Sequence, residues 1–231
     1  MKLAVDAPAL RTLTVAGREE RFPINRVFCV GRNYAAHARE MGKDPDREPP
    51  FFFMKPSSAV VDAATPTQLT YPPQTRNYHH EVELVVALHM GGRDIPAQDA
   101  LNCVYGYAVG LDMTRRDLQL QARDQGRPWE FGKSFTSSAP IGPIHRAAEL
   151  GHPTTAEIAL SVNGESRQTS DISKLIWSVE ECIAYLSRFE SIEPGDIIMT
   201  GTPEGVGAVV PGDTMRGSIA GLGHIDIEVI A

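Results

Sequence analysis

The chain has 231 residues, 42% hydrophobic and 22% charged, a globular balance that excludes a disordered or fibrous protein. A formal charge of −7 excludes a general binder of nucleic acid or of anionic membranes. The 20 glycines and 17 prolines exceed the roughly 12% of an average chain and are spread throughout, which points to a turn-rich, mainly β fold with some helix.

The first 25 residues carry an Ala16-Gly17-Arg18-Glu19-Glu20-Arg21 turn and are expected to form a leading arm or small hairpin. Arg26–Gly31 is a compact apolar run and predicts a buried strand, followed by a short helix over Asn33–Met41 that Gly42 closes. Lys43–Pro50 is polar and Pro-rich, hence a loop; Phe51–Lys55 predicts a second buried strand stopped by Pro56. Three prolines over Val61–Asn77 leave that stretch extended or looped. Glu81–Leu88 is a strand, Leu101–Met113 a helix then a strand, and Arg115–Gln125 a helix ending at Gly126.

In the last third, Asn163-Gly164 between two strand-like runs predicts a hairpin. Val179, Cys182, Ile183, Leu186 and Phe189 recur at helical spacing behind Ser178, a cap residue. Strands follow over Ile197–Thr200 and Gly223–Ile230, the second alternating Ile225, Ile227 and Val229 with polar residues. Cys29, Cys103 and Cys182 lie far apart in apolar runs without a Cys-x-x-Cys pair, so small buried hydrophobes are expected and neither a disulfide framework nor a zinc–thiolate unit. With no signal-peptide core and no run of about 18 apolar residues, a soluble cytoplasmic protein without membrane partners is expected.

Glu81 and Glu83 stand at i and i+2 on a strand and project from one face. Like charges that close repel, and beside an apolar run a hard divalent cation is the partner that satisfies them. A bare Glu-x-Glu is more often an exposed strand face; Asp112, in the apolar run GYAVGLDM, is the third acid that would complete a carboxylate set. His79 and His80 are alternative ligands, better read as supporting groups, because imidazoles favour transition metals and His80 points away from Glu81. His37 and Glu40 at i and i+3 are either a surface pair or a carboxylate-oriented base. Lys133 follows a glycine that would let it approach a site and steady an oxyanion, although a solvated lysine is the ordinary reading. The Thr200-Gly201-Thr202-Pro203 and Gly205-Val206-Gly207 turns match neither a Walker loop nor a dinucleotide fingerprint.

In order, the segments VGRNYAAHAREMG, PPFFFMKP, NYHHEVELVVAL, GYAVGLDMTRRDLQ, PWEFGKSF, LSVNGESRQ and PGDIIMTGTPEGVG resemble the fumarylacetoacetate hydrolase family over residues 25–230. The resemblance implies a mixed β-sandwich roll of the family's C-terminal type, a homodimer, and residues 1–24 as an arm before a catalytic domain over 25–231. It implies Mg2+ or Mn2+ on Glu81, Glu83 and Asp112, a His37–Glu40 dyad, an active-site Lys133, and substrate-facing Arg32, Arg116, Gln119 and Thr202. The runs HAREMGKDPDREPPFFFMKP and GRPWEFGKSF are most similar to members that hydrolyse fumarylpyruvate, a small dioxo acid, in bacterial gentisate degradation. One departure is Ser134-Phe135-Thr136-Ser137-Ser138, where an Asp is expected near 136 or 137. An acylpyruvase, an oxaloacetate decarboxylase and a dienedioate isomerase fit the same motifs; a non-catalytic metal-binding module would carry damaged ones, and all five acid and base positions are intact.

Overall fold

The strand Val82–Leu88 is buried at every position, which a strand sustains only where both faces of its sheet are covered. In the computed structural model, which describes residues 3–40 and 48–231, it is the centre of the larger of two packed sheets. That sheet runs Phe51–Lys55, Val27–Gly31, Ile197–Met199, Val82–Leu88, Val104–Leu111, Ala139–Ile141 and Val60–Asp62, with His145–Arg146 also paired to Val104–Leu111. Its pairings are antiparallel apart from Ile197–Met199 with Val27–Gly31 and Ala139–Ile141 with Val60–Asp62.

The second sheet runs Glu165–Asp171, Glu157–Val162, Thr214–Ile219, Gly223–Ile230 and Thr67–Thr70. Val82, Leu84, Val86 and Leu88 share one core with Ile158, Leu160, Ile225 and Ile227 of this sheet. The intervening Val85 and Ala87 belong to a second core with Leu13, Val15 and Phe22 of the leading hairpin, Thr12–Thr14 paired with Arg21–Pro23. This two-layered, curled arrangement is the mixed β-roll that the family resemblance implies. A three-stranded ribbon of Thr114–Arg115, Tyr78–His80 and Gly207–Val209 brings the head of the central strand to one rim.

Local chemistry explains the remaining elements. Asn163 and Gly164 adopt φ of 52° and 82°, the left-handed pair that a two-residue hairpin requires. Ser178 caps the helix Val179–Leu186 in a reciprocal capping box with Glu181. Among the described residues the first helix covers Ala35–Glu40; its expected stop at Gly42 and most of the 43–50 loop lie outside them. All three cysteines are buried thiols. Among the described residues, no helix is long and apolar enough to cross a membrane.

Phe51–Lys55 differs from expectation. It forms the sheet's edge, with Phe51 and Met54 43% and 46% exposed, and Lys55 is its one buried residue. Phe51 and Phe53 pack on Trp129, and Phe53 also lies against the second core.

Candidate active site

The register of two antiparallel strands assembles the acidic set. Glu83 lies opposite Gly110 and Val82 opposite Leu111, and on the next rung Asp112 N donates to Glu81 O at 2.8 Å. Opposed residues share a face, so Glu81, Glu83 and Asp112 project together, all buried, with ligand oxygens within 4.8 Å of one another.

Three buried carboxylates need compensating charge, and three cations surround them. Lys133 Nζ donates to Glu81 Oε2 (2.7 Å), Asp112 Oδ2 (2.6 Å) and Thr114 Oγ1 (2.7 Å), which occupies all its N–H groups. Arg116 donates to Glu81 Oε1 and to Gln119 Oε1. Lys55 Nζ lies 2.8 Å from Asp112 Oδ1, an ion pair without hydrogen-bond alignment, and donates to Ser138 Oγ, Met113 O and Lys133 O. Sequence reasoning missed Lys55 altogether, and the solvated reading of Lys133 is overturned: it is 2% exposed.

The compensation is uneven. Burial alone would raise the Glu81 carboxyl, but the Lys133 and Arg116 charges hold it far below the usual range. Glu83 receives one donor, Gly201 N at 2.8 Å, and burial together with Asp112 and Glu81 pushes its carboxyl well up. Burial disfavours the Lys133 ammonium, yet Asp112 and Glu81 more than offset that and raise it. Glu83 and the unaligned Asp112 Oδ1 thus mark where the set is short of positive charge. Hard carboxylate oxygens with open positions beside a cavity fit a divalent ion of the Mg2+ or Mn2+ type.

His37 reaches the same cavity from the short helix. Arg32, at φ 60°, turns the chain out of the strand Val27–Gly31, and buried Asn33 pins the turn by bonds to Trp177 and to Thr200 O. His37 Nδ1 lies 3.1 Å from Glu40 Oε2, and Glu40 in turn accepts from Gly205 N at 3.1 and 3.3 Å. The carboxylate therefore orients the ring from behind while His37 itself, 7% exposed, faces inward. Arg32, His37, Glu81, Glu83, Asp112, Arg116, Gln119, Lys133 and Thr202 all line the cavity.

Two close approaches fix the rest. A Cβ on Gly132 would stand 2.8 Å from Gln119 Cα, so only glycine lets the helix Glu130–Lys133 carry Lys133 against the helix Arg116–Asp124. Gln168, the buried residue of a polar strand, donates to Thr202 Oγ1 and Pro203 O and accepts from Val82 N, with His80 Nδ1 at 2.9 Å. His80 thus supports the loop rather than facing the acids; burial lowers its pKa and brings that of His79 to about 4. Nothing in the local sequence singled out Gln168 or Asn33, whose partners are remote in the chain.

Residues 26–230 match the family model described as fumarylacetoacetate (FAA) hydrolase C-terminal. A fumarylpyruvate hydrolase of Ralstonia sp is 47% identical over 192 residues, 82% of this chain and 98% of the relative. The mitochondrial oxaloacetate tautomerase FAHD1 of Homo sapiens is 41% identical over 203 residues, 88% of this chain and 90% of the relative. A crystal structure of fumarylpyruvate hydrolase from Pseudomonas aeruginosa in complex with Mn2+ and pyruvate is 57% identical, with a TM-score of 0.97 over 99% of each chain. On the match of nearly its whole length and on these relatives, the chain belongs to the fumarylacetoacetate hydrolase family.

Proposed function

We propose that this protein is a divalent-metal-dependent hydrolase that cleaves a carbon–carbon bond of an acylpyruvate, with fumarylpyruvate as the substrate. The observation that carries the proposal is a buried Glu81–Glu83–Asp112 set in one cavity with Lys133 and a Glu40-oriented His37. The Pseudomonas aeruginosa structure, which holds Mn2+ and pyruvate, supports both the metal and the pyruvoyl end of the substrate. Mg2+ or Mn2+ is the proposed ion, and a cytoplasmic homodimer the proposed assembly.

The three carboxylates would hold the ion, which when bound supplies Lewis acidity and charge to an enolate. His37, held by Glu40, accepts a proton from the water that attacks the C4 carbonyl. The C3–C4 bond breaks with its electron pair on the pyruvoyl half, and the proton on His37 passes to C3, giving pyruvate; the acyl half leaves as fumarate. Arg116, Gln119 and Thr202 present N–H and O–H groups to substrate oxygens along the cavity wall. Lys133 balances the carboxylate charge, and steadying an oxyanion requires it to exchange one of its three partners.

A second reading, oxaloacetate tautomerisation, is favoured by the FAHD1 relative, since enolisation needs a base and enolate stabilisation from the same groups. One assay separates them. Protein with Mg2+ or Mn2+ is expected to bleach the enol absorbance of fumarylpyruvate and release fumarate and pyruvate in equal amounts. No cleavage, with rapid keto–enol exchange of oxaloacetate, would move the protein to the second reading.

A further inference from the structure

We infer that Arg123 binds a second carboxylate at the far end of the substrate and thereby sets a preference for dianionic acylpyruvates. The inference rests on the acylpyruvate reading above. Arg116, Gln119, Leu120 and Arg123 all line the cavity, and their i, i+3, i+4, i+7 spacing is one face of the helix Arg116–Asp124. Exposure grows along that face: Arg116 and Gln119 are buried, Leu120 is half-buried, and the Arg123 side chain is 34% exposed at the outer end. Seven residues place Arg123 roughly 10 Å along the axis from Arg116.

Between these ends the cavity wall is apolar, made by Leu120, Phe53 and Trp129. The Trp129 ring is braced 5.0 Å from Phe51 and 5.9 Å from Phe53. From inside outward, the cavity presents a polar charge-balanced end, a flat wall and a guanidinium. That sequence of surfaces matches a planar conjugated acid with a dioxo acid head and a carboxylate tail. Lys55 and Lys133 have all their N–H groups engaged, and Arg116 is paired with Glu81 at the inner end, where it faces the head of the substrate and not the tail. Among the described residues, Arg123 is held only by its chain neighbour Asp124, which lies 2.9 Å away and is 66% exposed. An exposed pair of that kind is screened and weak, and a carboxylate delivered along the wall displaces it.

The test compares wild type, Arg123→Gln and Arg123→Lys, each with Mn2+, on fumarylpyruvate and on acetylpyruvate, whose tail is a neutral methyl. In Arg123→Gln the ratio of kcat/KM for fumarylpyruvate over acetylpyruvate is expected to fall roughly tenfold, the size of one charge-assisted bond, mainly through KM. Arg123→Lys should recover part of that loss. An unchanged ratio, or equal loss on both substrates, overturns the inference. Binding of fumarate alone separates the two levels of the argument. Wild type that cleaves neither substrate, yet binds fumarate more tightly than Arg123→Gln does, sinks the acylpyruvate reading and keeps the anion site. Equal fumarate binding by both sinks the anion site.

Discussion

Lys55 Nζ lies 2.8 Å from Asp112 Oδ1 with the two side chains 0% and 1% exposed, so a charge from the edge strand is buried beneath the acidic set. Its other contacts, to the carbonyls of Met113 and Lys133 and to Ser138 Oγ, tie the strand end that bears Asp112 to the helix that bears Lys133. Breaking a buried pair from one side leaves an uncompensated charge and costs about 3–5 kcal/mol. Lys55→Met keeps most of the stem volume and is expected to lose that much in urea unfolding. A change below about 1 kcal/mol would show that the pair contributes little.

The course of the central strand is written in the alternation and branching of Glu81–Leu88, and the two carboxylates at i and i+2 follow from the strand period alone. The Asn163-Gly164 turn, closed by the Val162–Glu165 pairing, and the Ser178 cap on Glu181 are equally local signals, although the Asn163 side chain finds its partners at Asp213 and Thr214. Lys55 was hidden for the opposite reason. An apolar Phe51–Met54 run reads as core, whereas the strand is an edge and its lysine turns inward to a carboxylate 57 residues away. Local period tells which face a residue takes, but not which partner meets it there. For Gln168, whose bonds run to His80, Val82 and Thr202, that partner is the whole of its role.

Glu40 stands behind His37 rather than in the cavity, so its contribution is orientation and charge. Glu40→Gln preserves an acceptor for Gly205 N but removes the carboxylate that stands 3.1 Å from His37 Nδ1. kcat is expected to fall about 100-fold, the scale of general-base catalysis, with KM nearly unmoved. A steady-state comparison in which KM alone changed would remove the dyad from the chemical step.

Asp117 gives a pH dependence away from the acidic set. Partial burial would raise its carboxyl, but bonds from Thr75 Oγ1, Arg76 N and Leu118 N outweigh that and lower it. A carboxyl depressed in the folded state adds stability above its unfolded pKa of about 3.9 and loses it as pH falls through the folded value. Asp117→Asn should therefore cost about 1 kcal/mol at pH 7, as for a lost helix-start acceptor, and progressively less below pH ~3.9. A penalty that stayed constant from pH 7 to 3 would refute the assignment.

Glu83 is where stability and metal binding oppose each other. Without an ion it sits buried beside Asp112 and Glu81 with a single hydrogen-bond donor, and both neighbours repel its charge. Glu83→Gln keeps an acceptor for Gly201 N and removes the repulsion, so metal-free Glu83→Gln is expected to melt no lower than metal-free wild type. Addition of Mn2+ reverses the order. An ion at 100 times its Kd stabilises the folded state by about 2.7 kcal/mol, and at about 2–4 °C per kcal/mol for a chain of this size wild type should gain roughly 5–10 °C. The variant, having lost one of three charged ligands, should gain little. Thermal melts with EDTA and with Mn2+ give all four values. A variant that melts lower without metal, or gains as much with it, would show that Glu83 belongs to the scaffold and not to the cation site.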